Sequence, residues 1–377
     1  MPWREASTMS LRGEFVQLAS QPGANRRELC RRFGISPKTG YKWLARYAAG
    51  AEQGLAEHSR RPVHSPRRTA APLERLVLAL REEHPAWGAR KLRKVLQDEG
   101  HRRLPAPSTI QAILLRNGCI SPQATSEHQA FKRFEHDRPN ALWQMDFKGH
   151  FALEQGRCHP LTVLDDHSRF NVCLKACADE RSHTVQAALT ETFRRYGLPE
   201  RIGVDNGAPW GDSAEQHYTQ LGVWLIRLGV QLSHSRPYHP QTLGKDERFH
   251  GTLNRELLCG QRFADLRQAQ AAFDPWRECY NLKRPHESLG MQTPISRYRS
   301  SPRAFPETLP PVDYGEAVAT RRVQAAGQIH YQGREFKVSK AFRGQLVALR
   351  HSSNQDGLIE VFFCHQKIAQ FDLAQPR

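Results

Sequence analysis

The chain has 377 residues, 39% of them hydrophobic, with 55 Lys and Arg residues against 38 Asp and Glu residues. This length exceeds that of one ordinary domain, so we expect several domains with modest cores. The net charge of +17 favours a polyanionic partner, of which nucleic acid is the first candidate. The sequence contains no apolar run near the ~20 residues of a membrane span and no secretory signal at its start, which predicts a cytoplasmic protein without a membrane partner.

Eight cysteines are scattered along the chain without a Cys-x-x-Cys pair. Reduced thiols are the interpretation that such spacing favours. The closest two, Cys173 and Cys177, lie in a strand-like stretch with no matching second pair. We interpret them as packing residues and not as a zinc site.

Residues 1–55 contain a helix, a tight turn and a second helix between positions 25 and 47. Gly34 supplies the turn, and Ser36 followed by Pro37 is a suitable N-cap and first helical residue. This pattern predicts a helix-turn-helix DNA-binding domain, with an ordinary helical hairpin carrying a solvated basic face as the alternative. The residues expected to face bases in the major groove are Lys38, Thr39 and Lys42.

A second helix-turn-helix domain is predicted over residues 72–120, with Ser108 as a plausible helix cap. Its expected core residues are Leu76, Leu80, Leu92, Leu96, Ile110, Ile113 and Leu114. An Arg- and Pro-rich linker at 56–71 separates the two domains, and a basic linker follows at 121–138. The first linker is either a solvated spacer or an arm that follows the minor groove of DNA through Arg60, Arg61, Arg67 and Arg68.

Residues 139–300 predict a mixed α/β sheet covered by helices. Three strand-like runs between 143 and 176 are followed by an alternation of helix and strand, beginning with an amphipathic helix from Ser182 to Tyr196. After a Pro-rich break, residues 318–377 switch to the period of two that is typical of strands. We expect this last segment to form a small all-β barrel.

Three carboxylates stand out by their local context. Asp146 and Asp205 each end or interrupt a short apolar strand, and Glu247 lies at the start of a helix whose buried stripe contains Phe249 and Leu253. Acids distant in sequence could thus meet at one edge of a sheet. Hard divalent cations prefer such oxygen ligands, which suggests a metal-dependent enzyme acting on DNA phosphodiesters.

The sequence motifs around these acids resemble those of the integrase core of DDE insertion-sequence transposases and retroviral integrases. They are LWQMDFK at 142–148, LDDHSRF at 164–170, VDNG at 204–207 and SRPYHPQTLGKDERFHGTLNRE at 235–256. The likeness spans about residues 143 to 294. It implies an RNase H-like core in which Asp146, Asp205 and Glu247 are the catalytic acids and hold two Mg²⁺ or Mn²⁺ ions, without a nucleotide cofactor.

The same resemblance implies contacts between the protein and the DNA end. Tyr238, His239, Gln241 and Lys245 lie on the segment that enters the catalytic helix, where the family match implies such contacts. Lys148, Arg248 and His250 are candidate phosphate contacts, with a solvated basic surface as the alternative.

Four further acids compete with the proposed three. Asp165 and Asp166 are adjacent and could share a metal, but the family pattern leaves them outside the triad. Asp205 and Glu247 are farther apart than is usual in the retroviral branch, so Asp212 and Glu215 in the intervening segment are also possible ligands. The paired His and paired Cys zinc module of retroviral integrases is missing from the sequence.

These features predict a bacterial, nucleoid-associated insertion-sequence transposase. It would bind the terminal inverted repeats of its element and catalyse metal-dependent cleavage and strand transfer into double-stranded target DNA. A homo-oligomer is expected because two DNA ends must be brought together. The alternatives are a DNA-binding regulator descended from such an enzyme and an RNase H-like nuclease that cleaves without joining.

Overall fold

The computed structural model describes residues 8–57, 68–120, 135–205, 207–211, 218–234, 244–309, 311–352, 355 and 357–374. It divides into two compact units, residues 1–68 and 69–377. Several residues singled out in the sequence lie outside the described ranges: Arg60, Arg61, Arg67, Asp212, Glu215, Tyr238, His239 and Gln241.

The first unit is a small helical domain. Its helices are α1 (Thr8–Ala19), α2 (Arg26–Arg32) and α3 (Pro37–Gly50), followed by a 3₁₀ turn (Ala51–Leu55). The Ser36 side chain accepts a hydrogen bond from the backbone N–H of Thr39, and Gly34 has a φ of +63°. The cap satisfies a free N–H group of α3 and the glycine makes the turn possible. The predicted helix-turn-helix arrangement is therefore confirmed.

A tight crossing holds these helices together. A Cβ atom added at Gly40 of α3 would lie 2.6 Å from Cys30 Sγ and 2.8 Å from the ring of Phe15. Only glycine allows α3 to approach α1 and α2 this closely. Trp43, one turn along α3, completes the core at 5% exposure.

The second helical segment begins the larger unit. Its helices are α4 (Ala71–Glu83), α5 (Ala89–Asp98) and α6 (Pro107–Arg116). The core prediction is right except for Leu76, which is 39% exposed. Ser108 does not cap α6: Pro107, whose fixed φ suits the first helical position, starts the helix after Ala106.

The central domain is built on a mixed sheet, as predicted. Its strands are β1 (Trp143–Phe147), β2 (Phe151–Ala152), β3 (Arg157–Asp165), β4 (Asn171–Cys177), β5 (Arg201–Val204) and β6 (Gln231–His234). β1 pairs antiparallel with β3 and parallel with β5. β4 extends the sheet beyond β3 and β6 extends it beyond β5, while β2 pairs with the start of β3. The strand order is therefore β4, β3, β1, β5, β6.

Helices cover both faces of this sheet. They are α7 (Ser182–Tyr196), α8 (Gln220–Arg227), α9 (Gly244–Leu253), which runs into a π-helical turn (Asn254–Leu258), and α10 (Leu266–Leu282). One core joins β1 and β3 to α7 and α8, and a second core joins β3 and β4 to α9 and α10. None of the described helices combines the length and apolar character needed to cross a membrane.

The C-terminal segment contains six strands, but the predicted barrel is not confirmed. The strands are β7 (Ala319–Arg322), β8 (Gln328–Tyr331), β9 (Arg334–Lys337), β10 (Leu346–His351), β11 (Leu358–Phe363) and β12 (Gln366–Asp372). Four of them form an antiparallel sheet in the order β12, β11, β10, β7, and β8 pairs only with β9 within the described strands. The Gly327 N–H donates to the carbonyl oxygen of Gln324 in the turn before β8, and Ile329 of β8 packs into the same core as the four-stranded sheet.

Helix α8 belongs to two cores at once. Leu221 and Leu225 pack into the core of the central domain, whereas Val223 and Ile226 pack against the C-terminal sheet. The Gln220 side chain also donates a hydrogen bond to the carbonyl oxygen of Ala341 at 2.9 Å. The C-terminal sheet is therefore docked on the central domain through a helix that both of them bury.

This shared helix leads to a stability prediction. Ile226 is fully buried, so Ile226→Ala should lower the free energy of unfolding by about 2–5 kcal/mol through lost burial and a cavity. Urea denaturation measures the change. The control is Leu115→Ala on α6, where the side chain is 47% exposed and the loss should stay below about 0.5 kcal/mol. Equal effects of the two variants would contradict the proposed docking.

Candidate active site

Asp146 lies near the end of β1, the strand in the middle of the sheet. It sits opposite Thr162 of β3 in the antiparallel register and is half-buried. The preceding residues Trp143 and Met145 are fully buried. Asp146 is therefore the point at which a buried strand brings a carboxylate to the edge of the core.

Asp205 directly follows β5 on the same edge. The parallel register pairs Gln144 of β1 with Gly203 of β5, so Asp146 and Asp205 both lie two residues farther along adjacent strands. One carboxylate oxygen of Asp205 accepts a hydrogen bond from the backbone N–H of Gly207 at 3.0 Å. This turn fixes the carboxylate while leaving it half-exposed.

Glu247 lies in the first turn of α9 and its side chain is exposed. Phe249 and Leu253, on the opposite side of the helix, are buried against α10. The helix thus buries its apolar stripe and leaves Glu247 free to face a ligand. This agrees with the orientation that the sequence predicted.

The three acids share an electrostatic environment. Burial raises the pKa of Asp146 to about 7, and the negative charges of Asp205, Glu180 and Glu247 contribute to the rise. Asp146 therefore lies in a negative electrostatic environment to which the other two acids contribute. Among the residues that the structure describes, however, no three His, Cys, Asp or Glu side chains lie close enough together to form a metal-binding cluster.

The adjacent Asp165 and Asp166 are hydrogen-bonded inside the domain. Both are fully buried. Asp165 accepts hydrogen bonds from the backbone N–H groups of Asn140 at 2.7 Å and Ser168 at 2.8 Å. Asp166 accepts from the Gln144 side chain at 2.8 Å and pairs with the ammonium group of Lys245. These contacts tie β1, the turn after β3 and the start of α9 together.

The predicted contact of Lys245 with the DNA end stays a prediction. In the structure its ammonium group forms an ion pair with Asp166, and 17% of the side chain is exposed. Burial lowers the pKa of Lys245, and the bond with Asp166 opposes that shift. Because the two residues are 79 positions apart, no local pattern could reveal the pairing.

The predicted phosphate contact of His250 also stays a prediction. Its Nε2 atom lies 2.8 Å from the Thr162 hydroxyl, and its side chain is 13% exposed. Burial and the nearby charge of Lys148 lower the pKa of His250 to about 4. The imidazole is therefore packed inside the protein in this structure. Arg248 is exposed, as predicted, whereas Lys148 is half-buried and its pKa is lowered by burial.

Sequence analysis missed Asp246, which lies beside Glu247 but points the other way. Its side chain is fully buried, and Oδ1 lies 3.1 Å from the Thr162 hydroxyl. Burial raises the pKa of Asp246 well above its ordinary value, with the charges of Asp146 and Glu247 adding to the rise. The helical period could have revealed this, because Asp246 precedes Phe249 by three positions and Leu253 by seven.

In the first unit, the predicted DNA-facing residues lie on the outer side of α3. Lys38 and Lys42 are exposed, and Thr39 is partly buried. The Thr39 hydroxyl lies 2.9 Å from that of Ser36 at the helix cap. The Lys42 ammonium lies 4.5 Å from the ring centre of Trp43. Arg68, at the end of the first linker, is also exposed.

The burial of His250 predicts a pH effect on stability. A pKa that falls from 6.5 in the unfolded chain to about 4 in the folded chain means that the unfolded state binds more protons between these values. The stabilisation of the fold by the neutral imidazole is fully present above pH 6.5 and is lost as the pH falls toward 4. Between pH 7 and pH 5, the unfolding free energy of the wild type should therefore fall by about 2 kcal/mol more than that of His250→Gln.

The control for this pH effect is His330→Gln, where the imidazole is 53% exposed. Identical pH profiles for all three proteins would refute the prediction.

Family models match most of the described domains. Two integrase core domain models match residues 136–240 and 228–294. A model of the C-terminal domain of IS481 family transposases matches residues 318–377. A helix-turn-helix model matches residues 11–62 and a homeodomain-like model residues 39–114. The matches agree with the predicted DNA-binding modules and catalytic core.

Several relatives are proteins of mobile elements. The chain is 27% identical to an uncharacterized 39.2 kDa protein of insertion element IS476 from Xanthomonas euvesicatoria, over 65% of this chain and 69% of that protein. It is 25% identical to a 31.7 kDa protein of IS407 from Burkholderia multivorans, over 68% and 92%. It is also 25% identical to the transposase for transposon Tn552 from Staphylococcus aureus, over 88% and 76%.

The domain matches and these relatives lead to the same conclusion. The helix-turn-helix modules are DNA-binding domains, and the central domain carries the core that cleaves DNA and transfers strands. The predicted resemblance is confirmed: the chain carries an integrase core domain and the C-terminal domain of IS481 family transposases, and it is similar to proteins of insertion elements.

Proposed function

We propose that Asp146, Asp205 and Glu247 are the catalytic acids of this transposase and that they hold two divalent cations, Mg²⁺ or Mn²⁺. The observation that carries the proposal is the register of β1 and β5, which brings Asp146 and Asp205 to one edge of the sheet. The pKa of Asp146, raised by burial and by the charges of Asp205 and Glu247, supports it. An all-oxygen donor set with excess negative charge suits a hard dication. When bound, such ions would activate the attacking hydroxyl and stabilise the leaving oxygen of a phosphodiester.

The protein's own residues orient this site. β1 and β5 hold Asp146 and Asp205 on adjacent strands, and the Gly207 N–H restrains one oxygen of Asp205. α9 presents Glu247 from the first turn of the helix. Arg248, exposed beside it, is placed to contact a phosphate group. The exchange of one phosphodiester for another needs no nucleotide cofactor.

The N-terminal modules would select the DNA ends. We propose that Lys38, Thr39 and Lys42 of α3 contact base edges of the terminal inverted repeats, because Lys38 and Lys42 are exposed near the start of the second helix of the motif. The linker arginines and the second helical module would add contacts along the same DNA end. Since two ends and a target must meet, we further propose that the transposase acts as a homo-oligomer.

The proposed domain limits separate the regions that bind DNA ends from the region that carries out catalysis. Residues 1–55 and 72–120 would bind DNA ends, with the linkers 56–71 and 121–138 following them. Residues 139–300 form the catalytic domain in this proposal, and residues 318–377 form a C-terminal domain docked on it through α8. Limited proteolysis should cut the linkers before it cuts within these domains.

A joining assay tests the catalytic proposal. Purified protein is incubated with Mg²⁺ or Mn²⁺, a labelled duplex bearing the element's end and a plasmid target. Asp146→Asn, Asp205→Asn and Glu247→Gln should each abolish strand transfer while leaving binding to the end nearly unchanged, because each removes a metal ligand and little DNA surface. Metal-free Asp146→Asn should also melt at a higher temperature than the wild type at pH 8, since it removes a half-buried carboxylate whose pKa is raised to about 7.

The matched control is Asp274→Asn, which neutralises an exposed carboxylate on α10 and should retain full joining. Mn²⁺ should raise the melting temperature of the wild type and of the control, but not that of Asp146→Asn. Joining retained by any of the three variants would remove that residue from the triad. Cleavage without joining by the wild type would favour a nuclease, and DNA binding alone would favour a regulator.

Lys42→Ala tests end recognition. We expect roughly a tenfold loss of preference for the terminal repeat over unrelated DNA, because a base contact carries about 1–3 kcal/mol of discrimination. Arg27→Ala removes the same charge from α2, where the side chain is exposed, and should weaken binding to both DNAs equally. Fluorescence anisotropy with the two duplexes at fixed salt provides the measurement. An unchanged preference in Lys42→Ala would show that α3 is not the reading helix.

A further inference from the structure

Behind the three acids lies a buried polar cluster with no assigned role. At its centre is Thr162 of β3, which is fully buried. Its Oγ1 atom lies 3.0 Å from the backbone oxygen of Asp146, 3.1 Å from Asp246 Oδ1 and 2.8 Å from His250 Nε2. One hydroxyl therefore contacts the strand that carries Asp146 and two residues of the helix that carries Glu247.

We propose that Thr162 is a positioning residue that sets the separation of Asp146 and Glu247. The inference rests on the proposed catalytic role of these two acids. It concerns the support behind them: the Thr162 hydroxyl joins the main chain at Asp146 to the inner face of α9.

The number of contacts supports this assignment. A threonine hydroxyl has one hydrogen to donate and two lone pairs that accept. The carbonyl oxygen of Asp146 can only accept, so all three contacts are hydrogen bonds at once when Asp246 Oδ1 and His250 Nε2 each carry a hydrogen and donate to the hydroxyl. Within the described residues, Asp246 Oδ2 has no hydrogen-bond partner, so loss of the hydroxyl would remove the Oδ1 contact with Thr162 as well.

The register explains why the hydroxyl acts on both acids. Thr162 is the residue directly opposite Asp146 in the β1 and β3 pairing. Asp246 precedes Glu247, and His250 follows it by three positions, so both stand within one helical turn of the acid. A shift of α9 relative to β1 would have to lengthen at least one contact of Thr162. Unpaired polar groups in a buried site are costly, which opposes such a shift.

The chain offers a matched control in Thr192 of α7. It is also buried, at 5% exposure, and its hydroxyl donates to the Ala188 carbonyl oxygen at 2.8 Å. Thr162→Val and Thr192→Val therefore each replace a buried hydroxyl by a methyl group of similar volume. Only the first removes contacts to β1 and α9 at the catalytic edge. Thr162→Ser keeps the hydroxyl and serves as the conservative rescue.

The test measures single-turnover cleavage of a labelled element end with Mg²⁺, affinity for that end in EDTA, and the rise in melting temperature with added Mn²⁺ in the absence of DNA. For Thr162→Val we expect a cleavage rate ~10–100-fold lower and a half-saturating Mn²⁺ concentration at least ~10-fold higher, as for residues that orient metal ligands. Affinity for the end should be unchanged. Thr162→Ser and Thr192→Val should retain the rate and the Mn²⁺ response of the wild type.

Three results would overturn the proposal. Thr162→Val could match Thr192→Val in rate and Mn²⁺ response, Thr162→Ser could be as impaired as Thr162→Val, or the loss of rate could be accompanied by an equal loss of end binding. If Thr162→Val does not fold, His250→Phe removes one of the three contacts; a wild-type rate in that variant would equally refute the positioning role. Asp146→Asn in the same assays separates the two ideas: if it is inactive while Thr162→Val is normal, the triad stands and the positioning role falls.

Discussion

The structure depends on the pairing of β1 with an antiparallel strand on one side and a parallel strand on the other. This pairing buries Trp143 and Met145 completely and leaves Asp146 at the boundary of the core. It also brings the end of β5, and with it Asp205, to the same edge. The free energy gained from burying β1 offsets the cost of holding a carboxylate where its charge is poorly solvated.

The domain handles its other buried charges differently. Asp165 and Asp166 accept several hydrogen bonds each, and Glu256 pairs with Arg284 at 2.9 Å. The charges of these groups are compensated within the protein, and their contacts hold neighbouring elements together. The Asp146 carboxylate is raised in pKa by burial and by neighbouring acids, and Asp246 has one oxygen without a hydrogen bond within the described part of the chain. Negative charge is thus concentrated at the proposed catalytic edge, which is typical of sites where function is favoured over stability.

Docking through α8 joins the C-terminal sheet to the central domain. The helix lies between β5 and β6 in the chain, and it packs into both the central core and the C-terminal core. An open sheet is sufficient for this docking, because α8 covers apolar residues that a closed barrel would bury internally.

Local patterns in the sequence determined much of the architecture. The helical period of Val185, Leu189 and Phe193, followed by Gly197, predicts helix α7 with the bounds that the structure has. The cap at Ser36 predicts α3, and the alternation of strands and helices predicts the mixed sheet. These features follow from neighbours within a few positions, so the chain itself carries the information. The orientation of Glu247 away from its helix core follows for the same reason.

Only the tertiary structure decided which polar groups meet. Lys245 and Asp166 are 79 positions apart, and Thr162 and His250 are 88 apart; their pairing depends on how α9 crosses the sheet. The exposure of Leu76 and the separation of the β8 and β9 hairpin likewise depend on packing between elements. The sequence by itself determined the periodic elements and pointed to the three acids, because periodicity and local motifs act at short range. The fold decided which charged side chains are exposed and which pair inside the domain, because that depends on distances between elements far apart in the chain.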